Sequence, residues 1–398
     1  MKHCTVIDIG SSKISCISAG TSGDGALVIH GAEQRPYPGY RLGRLPAVGP
    51  LSEALYNALS DLQEDTGLRI KNVTVGVPAP FVKTAVTSGE VRIAQRPGRI
   101  TEADIALLIA RGSDPEFPED WELMHSTPFD YTVDGTTCDG SPVGLPADRL
   151  SASFCHAFLD RDLGDLISGA LDSMGVSVGS FVSTGMACAS FTIPFAERMK
   201  GAVLIDCGGT HCDVSAIRGN ALIRTECVGI GGSHFTNDIA LALRLPFSVA
   251  EDLKRRYVFG LDYGESSQLV RIPNEGIFEI GNSTLQMIVE ARAEELADEL
   301  CSCLDSVEAE LPSRGPVYLV GGGIAPMRGG AEFLSAKTGR DIRVNVPKTS
   351  RMGSASSAPA LSLAQFMLYG GAQTGIRQAS GGRVFGNIKE FFTAGNKR

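Results

Sequence analysis

Two short segments, about half the chain apart, repeat one pattern of apolar strand, aspartate and turn of small residues. The first is Asp8-Ile9-Gly10-Ser11-Ser12-Lys13, after the apolar run 4–7. The second is Asp206-Cys207-Gly208-Gly209-Thr210-His211-Cys212-Asp213, after the apolar run 202–205. Each turn leads into a second β-rich stretch, at 14–18 and 214–217. A pattern repeated at this distance predicts two related α/β lobes.

The residue types in these two segments indicate a phosphate site. Glycine-rich turns allow backbone N–H groups to approach phosphate oxygens closely. An aspartate at a strand end, such as Asp8 or Asp206, can hold Mg²⁺ through water, because Mg²⁺ prefers oxygen ligands and keeps much of its hydration shell. Two facing turns of this kind would hold the phosphates of one nucleotide between the lobes.

Composition narrows the class of protein. A chain of 398 residues suggests two or more domains. Its net charge of −9 argues against nucleic acid as a partner, because phosphate backbones attract clustered Lys and Arg. No apolar run approaches the roughly 20 residues of a membrane-spanning helix. The first thirty residues are typical of strand, turn and strand rather than an export signal, so we expect the ten scattered cysteines to be reduced.

Periodicity gives a coarse plan of the chain. In the first half we expect strands at 4–9, 14–19 and 72–77 and a helix at 51–66, whose leucines follow a helical period. Within 82–159 we expect strands at 86–94, 129–133 and 151–158, and a helix that begins after the N-cap Thr101. After this segment we expect a helix at 163–174 and a strand at 178–182. In the second half we expect strands at 202–206 and 316–320 and helices at 247–257 and 286–311. The last strand leads into Gly321-Gly322-Gly323.

The C-terminal segment has the pattern of a membrane-binding tail. Residues 370–382 are rich in Gly, Ser and Gln, which is typical of a linker. On a helical wheel, one face of the following segment is formed by Val384, Phe385, Ile388, Phe391 and Phe392. A short basic, aromatic and amphipathic helix suits the membrane interface. One such helix binds weakly, so stable attachment requires many copies side by side.

On these motifs the chain resembles the FtsA family of bacterial cell-division proteins, within the actin, Hsp70 and sugar-kinase superfamily. The resemblance extends over essentially the whole chain. The matching segments are 8–13, 127–131 with 142–145, 228–240, 321–323 and the tail. The segment 228–240, Val-Gly-Ile-Gly-Gly-Ser-His-Phe-Thr-Asn-Asp-Ile-Ala, is the most specific signature.

The resemblance implies a duplicated actin-like ATPase fold with an inserted α+β subdomain, called 1C in the family. The implied divisions are a first lobe (1–82 and 160–194), the insertion (83–159), a second lobe (195–244 and 313–369), subdomain 2B (245–312), a linker (370–382) and a tail (383–398). The implied protein binds ATP and Mg²⁺ and polymerises on the cytoplasmic face of the inner membrane at the division site. It tethers filaments of the tubulin homologue FtsZ and recruits other divisome proteins through the insertion.

The resemblance also implies roles for individual residues. Asp8 and Asp206 would hold Mg²⁺ through water, and Ser11, Ser12 and Lys13 would contact phosphates after Gly10. The remaining nucleotide contacts would come from Gly208, Gly209, Thr210, Gly231, Gly232, Glu251, Lys254, Arg255, Gly321, Gly322 and Gly323. Arg292, on the long helix, would lie where the family binds the FtsZ C-terminal peptide.

The second turn departs from the usual Asp-x-Gly-Gly-Gly-Thr-x-Asp pattern at Thr210 and His211. A β-branched residue at a position with positive φ costs on the order of 1 kcal/mol, so we expect strain at Thr210. We expect the bulky His211 to crowd the γ-phosphate or to bond to it. The segment 183–191 contains no Asp, Glu, Gln or His to activate water. We therefore expect slow or absent hydrolysis and assign no catalytic residue.

Other readings of the same residues remain open. A related actin homologue of pilus assembly and a small-molecule kinase of the superfamily would share the nucleotide motifs. A kinase requires a general base near the substrate hydroxyl, and the sequence offers no clear candidate. Lys13 could be a solvated strand residue, and Glu251, Lys254 and Arg255 could form an ordinary charged helix face. The tail could also be a helix that binds a partner protein.

Overall fold

The computed structural model describes residues 2–93, 98–112, 119–138, 140–273, 275–345, 352–370 and the backbone of 377–378. Its strands are β1 (His3–Ile9), β2 (Lys13–Thr21), β3 (Leu27–Pro36), β4 (Asn72–Val77), β5 (Val82–Arg92), β6 (Trp121–Val133), β7 (Thr136–Thr137), β8 (Arg149–Asp160), β9 (Ser177–Ser183), β10 (Ala202–Cys207), β11 (Cys212–Arg218), β12 (Ala221–Val228), β13 (Ser267–Ile272), β14 (Gly276–Gly281), β15 (Val317–Val320), β16 (Ile342–Val344) and β17 (Arg377–Gln378). Its α-helices are α1 (Val48–Thr66), α2 (Glu102–Arg111), α3 (Arg161–Asp172), α4 (Thr184–Thr192), α5 (Phe195–Lys200), α6 (Gly232–Leu243), α7 (Phe247–Arg256), α8 (Asn282–Glu308), α9 (Gly330–Thr338) and α10 (Ala358–Tyr369).

Two five-stranded sheets are built on one plan. The first has the order β3-β2-β1-β4-β9 and the second has the order β12-β11-β10-β15-β16. In each sheet the central strand pairs antiparallel with the strand that follows it in the chain and parallel with a strand from later in the chain. The next neighbour on each side continues the same sense. This duplication confirms the two related lobes that the repeated motif predicted.

The helices cover these sheets and complete two hydrophobic cores. The first core joins the first sheet to apolar residues of α1, α3, α4 and α10. The second core joins the second sheet to α6, α7, α8 and α9. The predicted long helix is confirmed as α8, and its Leu296, Leu300, Leu304 and Val307 are fully buried. Because the β13–β14 hairpin also contributes Val270 to the second core, this lobe extends beyond its sheet.

The inserted subdomain lies between β4 and α3 in the chain. It forms a sheet in which β8 pairs with β5 and β6, with α2 packed against β5 and β8. The expected start of α2 is confirmed: Thr101 accepts a hydrogen bond from the Asp104 backbone, and the Asp104 carboxylate accepts one from Thr101. The strand predicted at 129–133 is the end of the longer β6, which continues through Pro128.

The inserted subdomain also touches the second lobe. Thr84 donates a hydrogen bond from Oγ1 to the carbonyl oxygen of Ile223 at 2.9 Å. The Cys155 thiol donates to the carbonyl oxygen of Leu222 at 2.6 Å. An ion pair between Arg218 and Asp130 adds a third link. The insertion therefore bridges the two lobes instead of extending freely from the first.

One predicted boundary requires correction. The segment up to 369 was expected in the second lobe, but α10 packs on the first sheet, and Leu361 and Leu363 belong to the first core. The Cys4 thiol donates to the carbonyl oxygen of Ala364 at 3.7 Å, and Lys2 Nζ donates to that of Leu368 at 3.3 Å. The error arose because the apolar pattern of α10 carries no information about which sheet it covers. The other predicted divisions stay predictions.

The tail proposed at 383–398 lies outside the described residues, as does most of the linker at 370–382. The described part of that linker, β17, pairs antiparallel with the edge strand β6, with Arg377 opposite Ser126 and Gln378 opposite His125. Among the described helices, none is long and apolar enough to cross a bilayer.

Candidate nucleotide-binding site

The two repeated motifs form matching turns at the ends of the central strands. In the first glycine turn (residues 10–13), the Gly10 N–H donates to the Lys13 carbonyl oxygen at 3.0 Å. In the second glycine turn (residues 208–211), the Gly208 N–H donates to the His211 carbonyl oxygen at 2.9 Å. Both turns thus join a central strand to its antiparallel neighbour with the same closing hydrogen bond.

The two turns are in direct contact. The Thr210 N–H donates to Ser11 Oγ at 3.1 Å, although the residues are 199 positions apart. A Cβ atom at Gly209 would lie only 2.7 Å from Ser12 Oγ, so a larger residue could not approach the first turn this closely. The turns therefore lie near enough to act on one ligand, and polar hydroxyl and amide groups line their junction.

An unusual concentration of carboxylates lies beside these turns. Asp8 and Asp206 end the central strands, and each is half-buried. Burial raises the pKa of Asp8 to about 6, an effect that Lys13 opposes. Burial, together with the nearby Asp213 and Asp8, raises the pKa of Asp206 to about 8. A divalent cation would relieve this mutual repulsion, so the donor set fits Mg²⁺.

Lys13 faces the same carboxylates from the start of β2. Its Nζ atom donates to Gln34 Oε1 at 3.2 Å and to the Ser356 carbonyl oxygen at 3.4 Å. Burial lowers the pKa of Lys13, while the charges of Asp8 and Asp206 oppose that change. The ammonium is therefore held at the site and is not a freely solvated strand residue.

Two glycine segments, 231–232 and 321–323, approach the second turn so closely that side chains are excluded. Gly321 has φ +92°, and a Cβ atom there would lie 2.5 Å from Asp206 Oδ1. A Cβ atom at Gly231 would lie 2.7 Å from the carbonyl oxygen of Gly209, and one at Gly232 would lie 2.7 Å from Gly323 Cα. At these points a glycine lies against neighbouring backbone or against the Asp206 carboxylate, so the cleft wall leaves no room for a larger residue.

Backbone hydrogen bonds hold these segments together. The N–H groups of Gly232 and Ser233, at the start of α6, donate to the carbonyl oxygens of Gly208 and Gly209 at 2.9 and 2.7 Å. The Gly323 N–H donates to the Cys207 carbonyl oxygen at 2.7 Å. Gly322 lies between the two glycines already described and packs near Ser356. The second turn is thus fixed from two sides.

The charged residues of α7 join the same wall. Lys254 is buried, and its Nζ atom donates to the Gly232 carbonyl oxygen at 3.1 Å and pairs with Glu251 at 2.7 Å. Glu251 also accepts from Thr236 Oγ1 at 2.5 Å and from Arg255 at 2.8 Å. Burial alone would raise the pKa of Glu251, but the bonds from Lys254 and Thr236 lower it. For Lys254 and Glu251 these contacts argue against an ordinary solvated helix face, whereas the Arg255 side chain is 71% exposed.

Two expectations about the second turn are wrong. Among the described residues, the non-glycine positions with positive φ are Asp130, Asp134 and Arg244, so Thr210 carries no such strain. His211 is only 3% exposed and does not point into the cleft. Its two ring nitrogens bind Thr210 Oγ1, within the same turn, and Asp213 Oδ1.

Several residues of the site carried no sequence signal. Tyr37 Oη donates to the Gly10 carbonyl oxygen at 2.8 Å, and Tyr40 packs on His211. Gln34 and Ser356 bind Lys13, as described above. The partners of these contacts are up to several hundred residues apart in the chain, so no local pattern could have indicated them.

Arg292 lies apart from the cleft. It lines a groove of about 530 Å³ between α6 and α8, and it pairs with Asp238 at 2.6 and 3.0 Å. The other lining residues are Leu241, Ala242, Ile288, Ala291 and Glu295. Leu241 is 79% exposed. The site residues therefore form one cluster at the turns and a second, separate groove.

The duplicated sheets, the turns that meet between them and the glycine walls define an actin-like ATPase fold. Solved structures of this class share that architecture. A PilM–PilN complex of type IV pilus biogenesis has a chain with a TM-score of 0.61 and 17% identity, covering 92% of this chain and 98% of its own. ADP-bound MreB5 of Spiroplasma citri gives 0.54 and 12%, covering 92% and 96%. These likenesses concern the fold alone.

Sequence comparisons identify the family within this class. The family model "Cell division protein FtsA" matches residues 203–365, and "SHS2 domain inserted in FTSA" matches residues 82–156. The cell-division protein FtsA of Pseudomonas aeruginosa is 26% identical over 86% of this chain and 82% of its own length. That of Streptococcus pneumoniae is 25% identical over 91% and 79%. The chain belongs to the FtsA family of cell-division proteins.

The raised pKa values predict a pH-dependent stability in protein free of Mg²⁺ and nucleotide. The folded-state pKa of Asp206, about 8, exceeds the unfolded value of about 3.9, so the folded state binds more protons between these values. The free energy of unfolding should therefore fall as pH rises from about 6 to about 8, by on the order of 1 kcal/mol per pH unit. Asp206→Asn should flatten this slope, as urea unfolding at several pH values would reveal.

Asp165, an exposed aspartate on α3, provides the matched control. Asp165→Asn should leave the slope unchanged. Added Mg²⁺ should flatten the wild-type slope, because it favours the ionised carboxylates. A wild type and an Asp206→Asn variant with equal slopes would contradict the assigned electrostatics.

Proposed function

We propose that this protein is an actin-like, ATP-binding cell-division protein that polymerises at the inner membrane and tethers FtsZ filaments to it. The observation that carries the nucleotide part is the hydrogen bond between the two turns, from the Thr210 N–H to Ser11 Oγ. It places glycine-rich backbone from both lobes beside two carboxylates. Membership of the FtsA family supports the cell-division part.

Each part of the cleft has a chemical role in this proposal. Asp8 and Asp206 hold Mg²⁺ through water, and Lys13 offsets phosphate charge. Ser11 and Ser12 contact phosphates from the first lobe, and Gly208, Gly209 and Thr210 contact them from the second. Glu251, Lys254 and Arg255 lie beside the ribose and base, with the wall completed by Gly231, Gly232, Gly321, Gly322 and Gly323.

ATP acts in this proposal mainly as a conformational ligand. In this proposal α4, the helix that follows β9, lies beneath the cleft, where a water-activating group would be needed. Its sequence Thr-Gly-Met-Ala-Cys-Ala-Ser-Phe-Thr contains no acid, amide or imidazole. General-base catalysis needs such a group within hydrogen-bond reach of the attacking water. We therefore propose that turnover is slow at most and that bound ATP holds the two lobes together.

The nucleotide role predicts a large effect of one substitution. With Mg²⁺ present, Asp206→Ala should weaken ATP binding by about 10- to 100-fold, because the carboxylate orients the hydrated cation. Titration of a fluorescent ATP analogue measures the affinity, and phosphate release should stay low in both proteins.

The control for this titration is Asp165→Ala, which removes an exposed carboxylate of the first lobe. It should bind ATP like the wild type. If Asp206→Ala bound ATP with unchanged affinity, the cleft described above would not be the nucleotide site.

We propose further that the groove between α6 and α8 binds the C-terminal peptide of FtsZ. Leu241 and Ile288 offer apolar contacts, and Arg292 offers a guanidinium already oriented by Asp238. A short peptide with apolar side chains and a carboxylate matches this combination. The proposed site is rigid, because α6 and α8 share the second core.

Charge reversal tests the groove. Arg292→Glu should reduce the affinity for a labelled FtsZ C-terminal peptide by about tenfold or more, since it places a second carboxylate beside Asp238 and removes the donor. Fluorescence anisotropy measures the affinity. Arg69→Glu, an exposed arginine of the first lobe, is the control and should not change it. Equal weakening by both variants would point to general charge attraction and against this groove.

Membrane attachment in this proposal belongs to the predicted helix of residues 383–398. Its apolar face is formed by Val384, Phe385, Ile388, Phe391 and Phe392. A single amphipathic helix of this length binds weakly, so self-association into filaments is part of the mechanism. The inserted subdomain remains available for other divisome proteins.

A sedimentation assay with vesicles of anionic phospholipid tests the tail. The full chain should pellet with the vesicles, and a chain ending at residue 382 should stay in solution. Ile388→Glu should also abolish pelleting, because it places a charge on the apolar face. Thr393→Glu, on the opposite face of the predicted helix, should retain most of it. Equal pelleting with and without residues 383–398 would refute this anchor.

No specific observation favours either alternative function, that of a pilus-assembly homologue or that of a small-molecule kinase. The likeness to the PilM chain, at 17% identity, extends to the fold and no further. A kinase would need a base near the cleft, and the carboxylates there are already required for the cation. Transfer of labelled phosphate to a sugar or acetate would revive that alternative.

A further inference from the structure

His211 occupies the position where a threonine usually follows the glycines of the second turn. Its ring is buried, and Nδ1 lies 3.1 Å from Thr210 Oγ1. Nε2 lies 3.2 Å from Asp213 Oδ1, which favours a proton on Nε2 directed at this carboxylate. The buried side chain therefore stabilises its own turn through Thr210 and connects it to Asp213.

The same ring contacts the first lobe. Tyr40 Oη lies 3.4 Å from His211 Nε2, and the two ring centroids are 5.4 Å apart. Tyr40 is 4% exposed and packs edge-on against Phe81, which belongs to the first core. His211 is thus a residue of the second lobe that rests on aromatic side chains of the first.

Tyr40 belongs to the segment 37–42, which lies directly against the first glycine turn. We call this segment the strap. The Tyr37 N–H donates to the Ser12 carbonyl oxygen at 3.2 Å, and Tyr37 Oη donates to that of Gly10. Gly39 has φ +75°, and a Cβ atom there would lie 1.8 Å from the Ser11 carbonyl oxygen. The position of the strap is therefore coupled to the first turn.

Asp213 provides another contact between the second lobe and the first. Its Oδ2 accepts a hydrogen bond from the Ala79 N–H at 3.2 Å, and its Oδ1 faces His211 and the Cys227 thiol. Burial alone would lower the pKa of His211, but Asp213 outweighs it and raises that pKa. The imidazole and the carboxylate thus support each other at the boundary between the lobes.

We propose that His211, together with Tyr40 and Asp213, joins the strap to the second glycine turn and thereby slows the release of bound nucleotide. His211 is a positioning residue in this role and contacts no phosphate. The inference rests on the proposed ATP site. It adds that the lifetime of the bound state depends on a contact outside the cleft.

Two substitutions of His211 distinguish the roles of its two ring nitrogens. A glutamine amide nitrogen can take the place of Nε2 and keep the bond to Asp213. An asparagine amide nitrogen can take the place of Nδ1 and loses that bond. Stopped-flow measurement of a fluorescent ATP analogue, with Mg²⁺ present, gives association and dissociation rates separately.

His211→Asn should raise the dissociation rate by about tenfold, the loss expected for one hydrogen bond to a charged group. The association rate should change by less than about twofold, because His211 does not line the entrance. His211→Gln should keep the dissociation rate within about threefold of wild type. A general loss of stability would not raise the dissociation rate alone, and it would not leave His211→Gln close to wild type.

Tyr40→Phe should raise the dissociation rate by about threefold in wild type and have no further effect in His211→Asn, because both act through one contact. Tyr56→Phe, an exposed tyrosine on α1, is the matched control and should have no effect. If His211→Asn fails to fold, the Gln and Tyr40 variants decide the question by the same rates.

The outcomes distinguish this inference from the proposed function. A wild type that binds no ATP overturns both. A wild type that binds ATP, with dissociation rates unchanged in His211→Asn and Tyr40→Phe, overturns the strap alone. A variant that changes association and dissociation equally would also contradict it.

Discussion

The hydrogen bond from the Thr210 N–H to Ser11 Oγ is the contact on which the rest of the site depends. It exists because two sheets of equal topology bring the ends of β1 and β10 to one place. Parallel neighbours β4 and β15 flank these strands on corresponding sides, so the sheet edges that carry the aspartates face each other. Ligands of open α/β sheets bind beyond the carboxyl ends of such strands. Duplication of one lobe therefore brings the two turns together, and the start of α6, α7 and the segment 321–323 complete the wall of the cleft.

The cleft is walled by backbone more than by side chains. Gly231, Gly232, Gly321 and Gly323 each lie where a Cβ atom would collide with neighbouring backbone or with a site side chain. The cleft therefore contains few charged side chains, mainly those of Asp8, Asp206 and Lys13. Burial raises the pKa values of the two acids, the charge of Asp213 adds to this effect, and Lys13 opposes it. The ionised carboxylates are therefore unfavourable when no cation is bound. A bound cation would change the protonation of the site and its closure together.

Sequence predicted what local patterns determine. The two turns, the N-cap at Thr101 and the long helix α8 follow from residue types and spacing, and their existence is confirmed. Strand order did not follow, because β4 and β15 join their sheets from distant parts of the chain. The direction of His211 also could not be predicted: bulk suggested contact with phosphate, but Asp213 and Tyr40 supply better partners on the buried side. The expected roles in binding stay predictions.

Because α10 packs on the first lobe, it determines at which end the chain leaves that lobe. This helix ends beside the start of β1, where Lys2 binds the Leu368 carbonyl oxygen and Tyr369 binds that of Gly25. The first glycine turn lies at the other end of β1, so the chain leaves the lobe at the end away from the cleft. Beyond α10, the backbone described at 377–378 forms β17, which pairs with β6 opposite Ser126 and His125. The described C-terminal part of the chain therefore contacts the first lobe through α10 and the inserted subdomain through β17, and it adds to the contacts that join these two parts.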